Sequence, residues 1–131
     1  MPKMCNEGIN DALNILWKGT TRPSFYLGIY TNTTEPAATA VMTGITEPSG
    51  YGYARQQLVD GDWTEGSQVI TNVQKTFAAS GGAWGNCYGY FITTALTGTA
   101  GKLYAVEQFS DGPYNIPDGG AAKITAKFTE S

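Results

Sequence analysis

Three carboxylates fall within six residues at Asp60, Asp62 and Glu65, in the run Asp60-Gly61-Asp62-Trp63-Thr64-Glu65-Gly66. Clustered carboxylates can hold a hard cation such as Ca²⁺, which takes six or more oxygen ligands. The run lacks the later ligands of a twelve-residue calcium loop, however, and an Asp-Gly pair also suits a tight hairpin turn. Asp111 and Asp118, each followed by Gly, invite the paired-carboxylate reading of glycoside hydrolysis, in which one acid protonates the leaving group. Both are equally turn formers. The sequence holds no histidine. That removes the usual Ser-His, Cys-His and His-metal arrangements. The expectation is a protein that is not an enzyme, with no cofactor and no metal.

The aromatic residues offer a different chemistry. Trp63, Trp84, Tyr51, Tyr53, Tyr88, Tyr90, Tyr104 and Tyr114 could stack on sugar rings in a carbohydrate-binding module. They serve as well in a core or at protein interfaces, where Tyr and Trp are favoured. Period-two alternation puts Tyr51, Tyr53 and Arg55 on one face of one strand. A planar guanidinium beside tyrosine rings suggests stacking or an inter-strand clamp. The candidate interface residues are Ile9, Leu13, Trp17, Tyr51, Tyr53, Arg55 and Trp63.

The elements that position these residues can be read from periodicity. Ile9, Leu13, Leu16 and Trp17 fall at i, i+4, i+7 and i+8, one apolar stripe of a helix. Asn6 or Asn10 can cap its start, and Gly19 stands where a C′ glycine belongs. So short a helix must pack its stripe on the rest of the chain or on a neighbouring molecule. From Ser24 the period becomes two, with Phe25, Leu27 and Ile29 on one face and Tyr26 and Tyr30 on the other. Segment 32–50, punctuated by Pro36 and Pro48, reads as a long functional or mobile loop with a helical turn near 37–43. Strands follow at 51–59, closed by Asp60-Gly61, and at 69–77, with Val69, Val73 and Phe77 together. The aromatic strand at 84–95 is apolar on both faces and belongs at the centre of a sheet. A hairpin-type connection at 97–101 leads to a strand at 103–109, and a turn region at 111–120 follows. The last strand sets Ala122, Ile124, Ala126 and Phe128 inside, with Lys123, Thr125, Lys127 and Thr129 outside. The fold class is therefore mainly β, a single-domain β-sandwich or jelly-roll-like body over 24–131 with a helical arm over 1–20.

Composition narrows the partners. The chain has 131 residues, of which 41% are hydrophobic and only 15% charged. A low-charge surface rich in Tyr, Thr and Asn suits contact with other proteins. The net charge is −3 and the basic residues are scattered singly, so no stripe exists to grip a phosphate backbone. Direct nucleic-acid binding is not expected. No apolar run approaches bilayer length, and the start Met1-Pro2-Lys3-Met4-Cys5 lacks a signal peptide's apolar middle. No membrane is expected either. Cys5 and Cys87, far apart and made in the cytosol, are expected to be free thiols.

The order of these elements resembles small virion proteins of tailed bacteriophages. The carrying residues are Phe25-Tyr26-Leu27-Gly28-Ile29-Tyr30-Thr31 after a short helix, Gly50-Tyr51-Gly52-Tyr53-Ala54-Arg55-Gln56, Trp84-Gly85 opening an aromatic strand, Gly101-Lys102-Leu103-Tyr104-Ala105, and Asp118-Gly119 before the last strand. The resemblance implies a virion structural component, made in the host cytoplasm. Its first form is a head decoration or cement protein, a dimer or trimer that binds the major capsid protein and stabilises the head. Loop 32–50 and the terminal segments would then be arms reaching across a symmetry boundary. Its second form is a neck, tail, baseplate or tail-fibre-like component. A carbohydrate-binding module is the alternative from another class.

Overall fold

A computed structural model describes residues 3–129; Met1, Pro2, Glu130 and Ser131, with the outer ends of the expected arm and body, lie outside the described residues. The chain enters through β1 (Lys3–Met4) and α1 (Asn6–Lys18). Extended Cys5 precedes α1 without any side-chain cap, so neither Asn6 nor Asn10 plays the capping role offered by the sequence. Gly19 ends the helix at φ 70°, a left-handed conformation glycine adopts without steric cost. There follow β2 (Phe25–Tyr30), β3 (Gln56–Leu58), β4 (Trp63–Gly66), β5 (Val69–Asn72) and β6 (Lys75–Ala78). The remaining strands are β7 (Gly85–Cys87), β8 (Gly89–Thr93), β9 (Leu103–Gln108), β10 (Tyr114–Ile116), β11 (Ala121–Ile124) and β12 (Lys127–Thr129).

A five-stranded sheet in the order β1-β9-β8-β2-β3 forms the centre, accompanied by the small sheets β10-β7, β11-β6 and β12-β5-β4. Every pairing is antiparallel. The fold is mainly β with one short α-helix among the described residues, as the alternation predicts. β8 is the middle strand and is buried along its whole length, which is why its sequence is apolar on both faces. Alternation along β2 and β8 divides the core. Leu27, Ile29 and Ile92 join Phe77, Trp84, Ile116 and Ile124 in one cluster. Tyr30 and Phe91 join Cys5, Met42, Leu103 and Val106 in the other.

Three strands read as continuous are each broken once. The 69–77 segment divides after Asn72, whose amide donates to the Ala126 carbonyl (2.9 Å), while the Val73 amide turns to Asp62 (3.2 Å). Val73, expected inside with Phe77, is 55% exposed. The 84–95 segment breaks at Tyr88, whose amide donates to Tyr30 (3.0 Å) and whose carbonyl accepts from Phe109 (2.9 Å). The last segment breaks between β11 and β12, yet Ala122, Ile124 and Ala126 stay buried and Lys123 and Thr125 exposed. Periodicity reports which face is buried and is silent on which strand is the partner. For the same reason β10 lies unannounced inside 111–120, paired with β7.

Two loop expectations need correcting. Asp60-Gly61 is not a hairpin turn; Asp60–Asp62 forms a 3-10 turn. The hairpin turn is Ser67-Gln68, both at positive φ (52° and 68°), between the paired residues Gly66 and Val69. Two successive left-handed residues are the geometry that matches strand twist in a two-residue hairpin. Loop 32–50 is no loose arm. Asn32 holds the Gly44 carbonyl and the Thr46 amide (both 2.8 Å), the Asn6 amide donates to Ala38 (2.8 Å), and Met42 is buried.

Candidate functional site

The carboxylates do not converge. Asp60 pairs with Arg22 (2.5 Å) and Asp62 with Lys75 (3.1 Å), while Glu65 lies exposed on β4. Asp111 accepts from the Tyr114 hydroxyl, and Asp118 accepts the Gly81 amide (3.0 Å). Among the described residues no group of three or more acidic or cysteine side chains is placed to hold a metal ion. Asp60, Asp62, Asp111 and Asp118 each serve a bond within the chain. Both cysteines are free and buried, and burial pushes each thiol up to about 11.

Arg55 is heavily bonded. It is 6% exposed. Its Nε and Nη2 grip the two Glu47 oxygens (2.9 and 2.8 Å), Nη1 donates to the Ala95 carbonyl (2.8 Å), and Nη2 also reaches that of Gly98 (2.9 Å). The guanidinium lies over the Phe91 ring, 5.4 Å from its centroid. Tyr53 completes the cluster: its hydroxyl donates to Glu47 (2.6 Å) and accepts the Ile29 amide (2.9 Å). Burial, then the bond to Glu47, pushes that hydroxyl's pKa upward. Loop 32–50, β2 and the β8–β9 connection are thereby tied together, beside an open cavity of about 360 Å³. Within this chain Tyr53 and Arg55 serve the sheet as a clamp.

Tyr51 does not share their face. It sits at φ 52° in a turn closed by the Tyr53 amide on the Gly50 carbonyl (3.1 Å), and its exposed ring covers Gly82. A Cβ at Gly82 would come within 2.5 Å of that ring and would push it aside. Trp63 is half-buried, its ring 6.3 Å from that of Phe128. It is not an open platform for a sugar.

The helix is oriented opposite to the simplest reading of its stripe. Ile9, Leu13, Leu16 and Trp17 are 42%, 51%, 70% and 77% exposed. The docking face is Gly8 and Asp11, both buried. Gly8 presses on the backbone of Tyr104, where a Cβ would stand 2.5 Å from the carbonyl oxygen. Asp11 accepts from Lys102 Nζ (2.7 Å) and from the Tyr104 hydroxyl, and Glu7 accepts the Leu103 amide (3.1 Å). The bonds from Lys102 and Tyr104 hold the Asp11 carboxyl below the usual carboxylate range. Burial, then Asp11, drives the Tyr104 hydroxyl upward. The stripe therefore does not pack on the body of its own chain. A polar, small-residue face does.

The family model of the podophage GP4 fiber I protein gp80 matches residues 3–129, nearly the whole chain. This chain belongs to the gp80 family. No curated protein matches it. Family membership makes it a bacteriophage virion structural protein, in agreement with the resemblance carried by its strand order. Between the two forms that resemblance implied, the family's description lies nearer the tail-fibre-like one than head decoration.

In this gp80-family chain the site residues missed by sequence reasoning are Gly8, Asp11, Glu7, Glu47 and Lys102. Gly8 and Asp11 are three apart and share a helix face, which was a usable signal for close docking. Glu47 carried no such signal, because its link to Arg55 depends on how loop 32–50 folds back.

Proposed function

We propose that this gp80-family chain is a non-catalytic component of a phage fibre, built into the virion through contacts with other virion proteins and with further copies of itself. The observation that carries the reading is the match of the fibre I family along residues 3–129. The size of the chain supports the plural. A compact body of this length has a radius of gyration of about 14 Å, so fibre length needs several copies or a longer partner. The internal bonding of the polar groups supports a structural role: Arg55, Asp62, Asp111 and Asp118 are each engaged by neighbours in the chain. An acidic chain with scattered basic residues is not suited to DNA, so its partners are proteins.

The test is immunogold electron microscopy of intact virions with antibody raised against the chain. Label confined to fibres at the tail is the expected outcome. Label spread in high copy over the head would replace this reading with capsid decoration, and unlabelled particles would remove the chain from the virion altogether.

A further inference from the structure

We infer that α1 is a releasable strap: residues 6–18 leave β9 as one unit while the sheets stay folded, and protonation of Asp11 drives the release. This concerns the single chain and holds whatever its place in the virion.

Short helices normally hold their place by burying an apolar face. α1 buries none. Its only buried residues are Gly8 and Asp11, and none of its side chains belongs to either apolar cluster. Gly8 gives backbone contact with no side chain to bury. What keeps α1 on β9 is a short set of polar bonds. Glu7 accepts the Leu103 amide (3.1 Å), and Asp11 accepts from Lys102 (2.7 Å) and from the Tyr104 hydroxyl. The Asn6 amide adds its bond to Ala38 (2.8 Å). Segments with few buried apolar contacts open at free energies below that of global unfolding.

The two ends of α1 allow such a motion. At the first, Cys5 is fully buried with Tyr30, Met42, Phe91, Leu103 and Val106, and its amide donates to the Tyr104 carbonyl (2.8 Å). Release therefore stops at Cys5, and β1 stays paired with β9. At the second, residues 19–24 form neither helix nor strand, and all but Pro23 are exposed.

Asp11 controls the release because its charge is what the seat holds. Around it stand Lys102, about half exposed, and Tyr104, whose hydroxyl also feels Arg22. On α1 itself Glu7 and Lys18 lie on the same side. In the docked form the bonds from Lys102 and Tyr104 hold the Asp11 carboxyl below its usual range. In the released form it returns to about 4. As pH falls below about 4, the released carboxyl takes a proton before the docked one does. Docking then weakens by up to tenfold per pH unit, until the docked carboxyl is protonated too.

The experiment is residue-resolved hydrogen exchange of the full chain at about pH 6 and about pH 3, with the variants I124V and D11N. At the higher pH the amides of residues 10–18 should be protected at least about tenfold less than those of β8, with a shallower dependence on added urea. I124V weakens the body through β11, which supplies none of the bonds to α1. It should lower β8 protection about two- to tenfold and leave α1 protection where it was. D11N should lower α1 protection at least about tenfold at the higher pH and remove most of the further fall at the lower, where β8 stays protected. Equal protection and urea dependence in α1 and β8, or a loss in α1 that matches that of β8 in I124V, overturns the strap. So does protection that vanishes from both together in acid. An acid fall in α1 that D11N does not reduce overturns the control by Asp11.

Discussion

Replacing Gly8 with alanine sets two effects of opposite sign against each other. In a helix interior alanine is favoured over glycine by about 1 kcal/mol, through lower backbone entropy in the unfolded chain. At this position, however, the added Cβ would stand 2.5 Å from the Tyr104 carbonyl oxygen, 2.6 Å from its Cα and 2.9 Å from its carbonyl carbon. All three atoms are backbone of β9 and cannot swing aside. Ordinary contact at 3.5 Å or more requires the helix to retreat by about 1 Å. That retreat would stretch the Lys102–Asp11 contact from 2.7 Å and the Leu103–Glu7 bond from 3.1 Å beyond useful hydrogen-bond length, along with the Tyr104–Asp11 bond. Lys102 is half exposed, so its share is small. The other two, each to a charged acceptor, together contribute about 3–4 kcal/mol. The net expectation is a loss of about 2–3 kcal/mol, or roughly 10 °C in melting temperature for a domain of this size. Urea and thermal unfolding followed by circular dichroism would measure it, with the exposed Asn10→Ala as a control that should stabilise slightly. If G8A instead raised the melting temperature like the control, helix propensity would have won and the docking argument would be refuted.

Arg55→Ala should lose about 3 kcal/mol in urea unfolding, at the low end for a broken buried pair because Glu47 can regain some water. Arg55→Lys should not restore it, since an ammonium cannot span two carboxylate oxygens and two carbonyls at once. Asp11 predicts a pH dependence of definite sign. Its folded pKa is depressed, so its stabilisation is fully present above about pH 4, the unfolded value, and is lost as pH falls through the folded one. The urea midpoint should therefore drop as pH falls below about 4, and the drop should be shallower in Asp11→Asn. An equal drop in both would show that other carboxylates control acid unfolding.

Much of the architecture was legible because alternation is a direct imprint of burial. β2, the centrality of β8 and the inward run Ala122, Ile124, Ala126 all follow from it. What alternation cannot encode is the identity of a partner strand, and the breaks at Val73, Tyr88 and Thr125 lie where the chain changes partners. Tyr51 was misplaced because Tyr-Gly-Tyr keeps strand periodicity while its backbone turns left-handed at Tyr51 and Gly52. The helix was correctly found, and of the two partners open to its stripe the body of its own chain is not the one it meets. An apolar stripe is normally the inner face, and here the inner face is made from a glycine that lets two backbones touch and two acids that bond β9.

The attachment of α1 also has a consequence in time. Its anchors lie far along the chain: Glu7 waits for Leu103, 96 residues later, and Asp11 for Lys102, 91 residues later. During synthesis at roughly 5–20 residues per second, the helix segment would exist for several seconds before its docking strand could be made. It precedes its anchors in the chain and is placed only after them. Until β9 forms, the apolar stripe hangs on a helix too short to be stable alone. Only a chain whose β9 is complete therefore carries the stripe on a fixed helix.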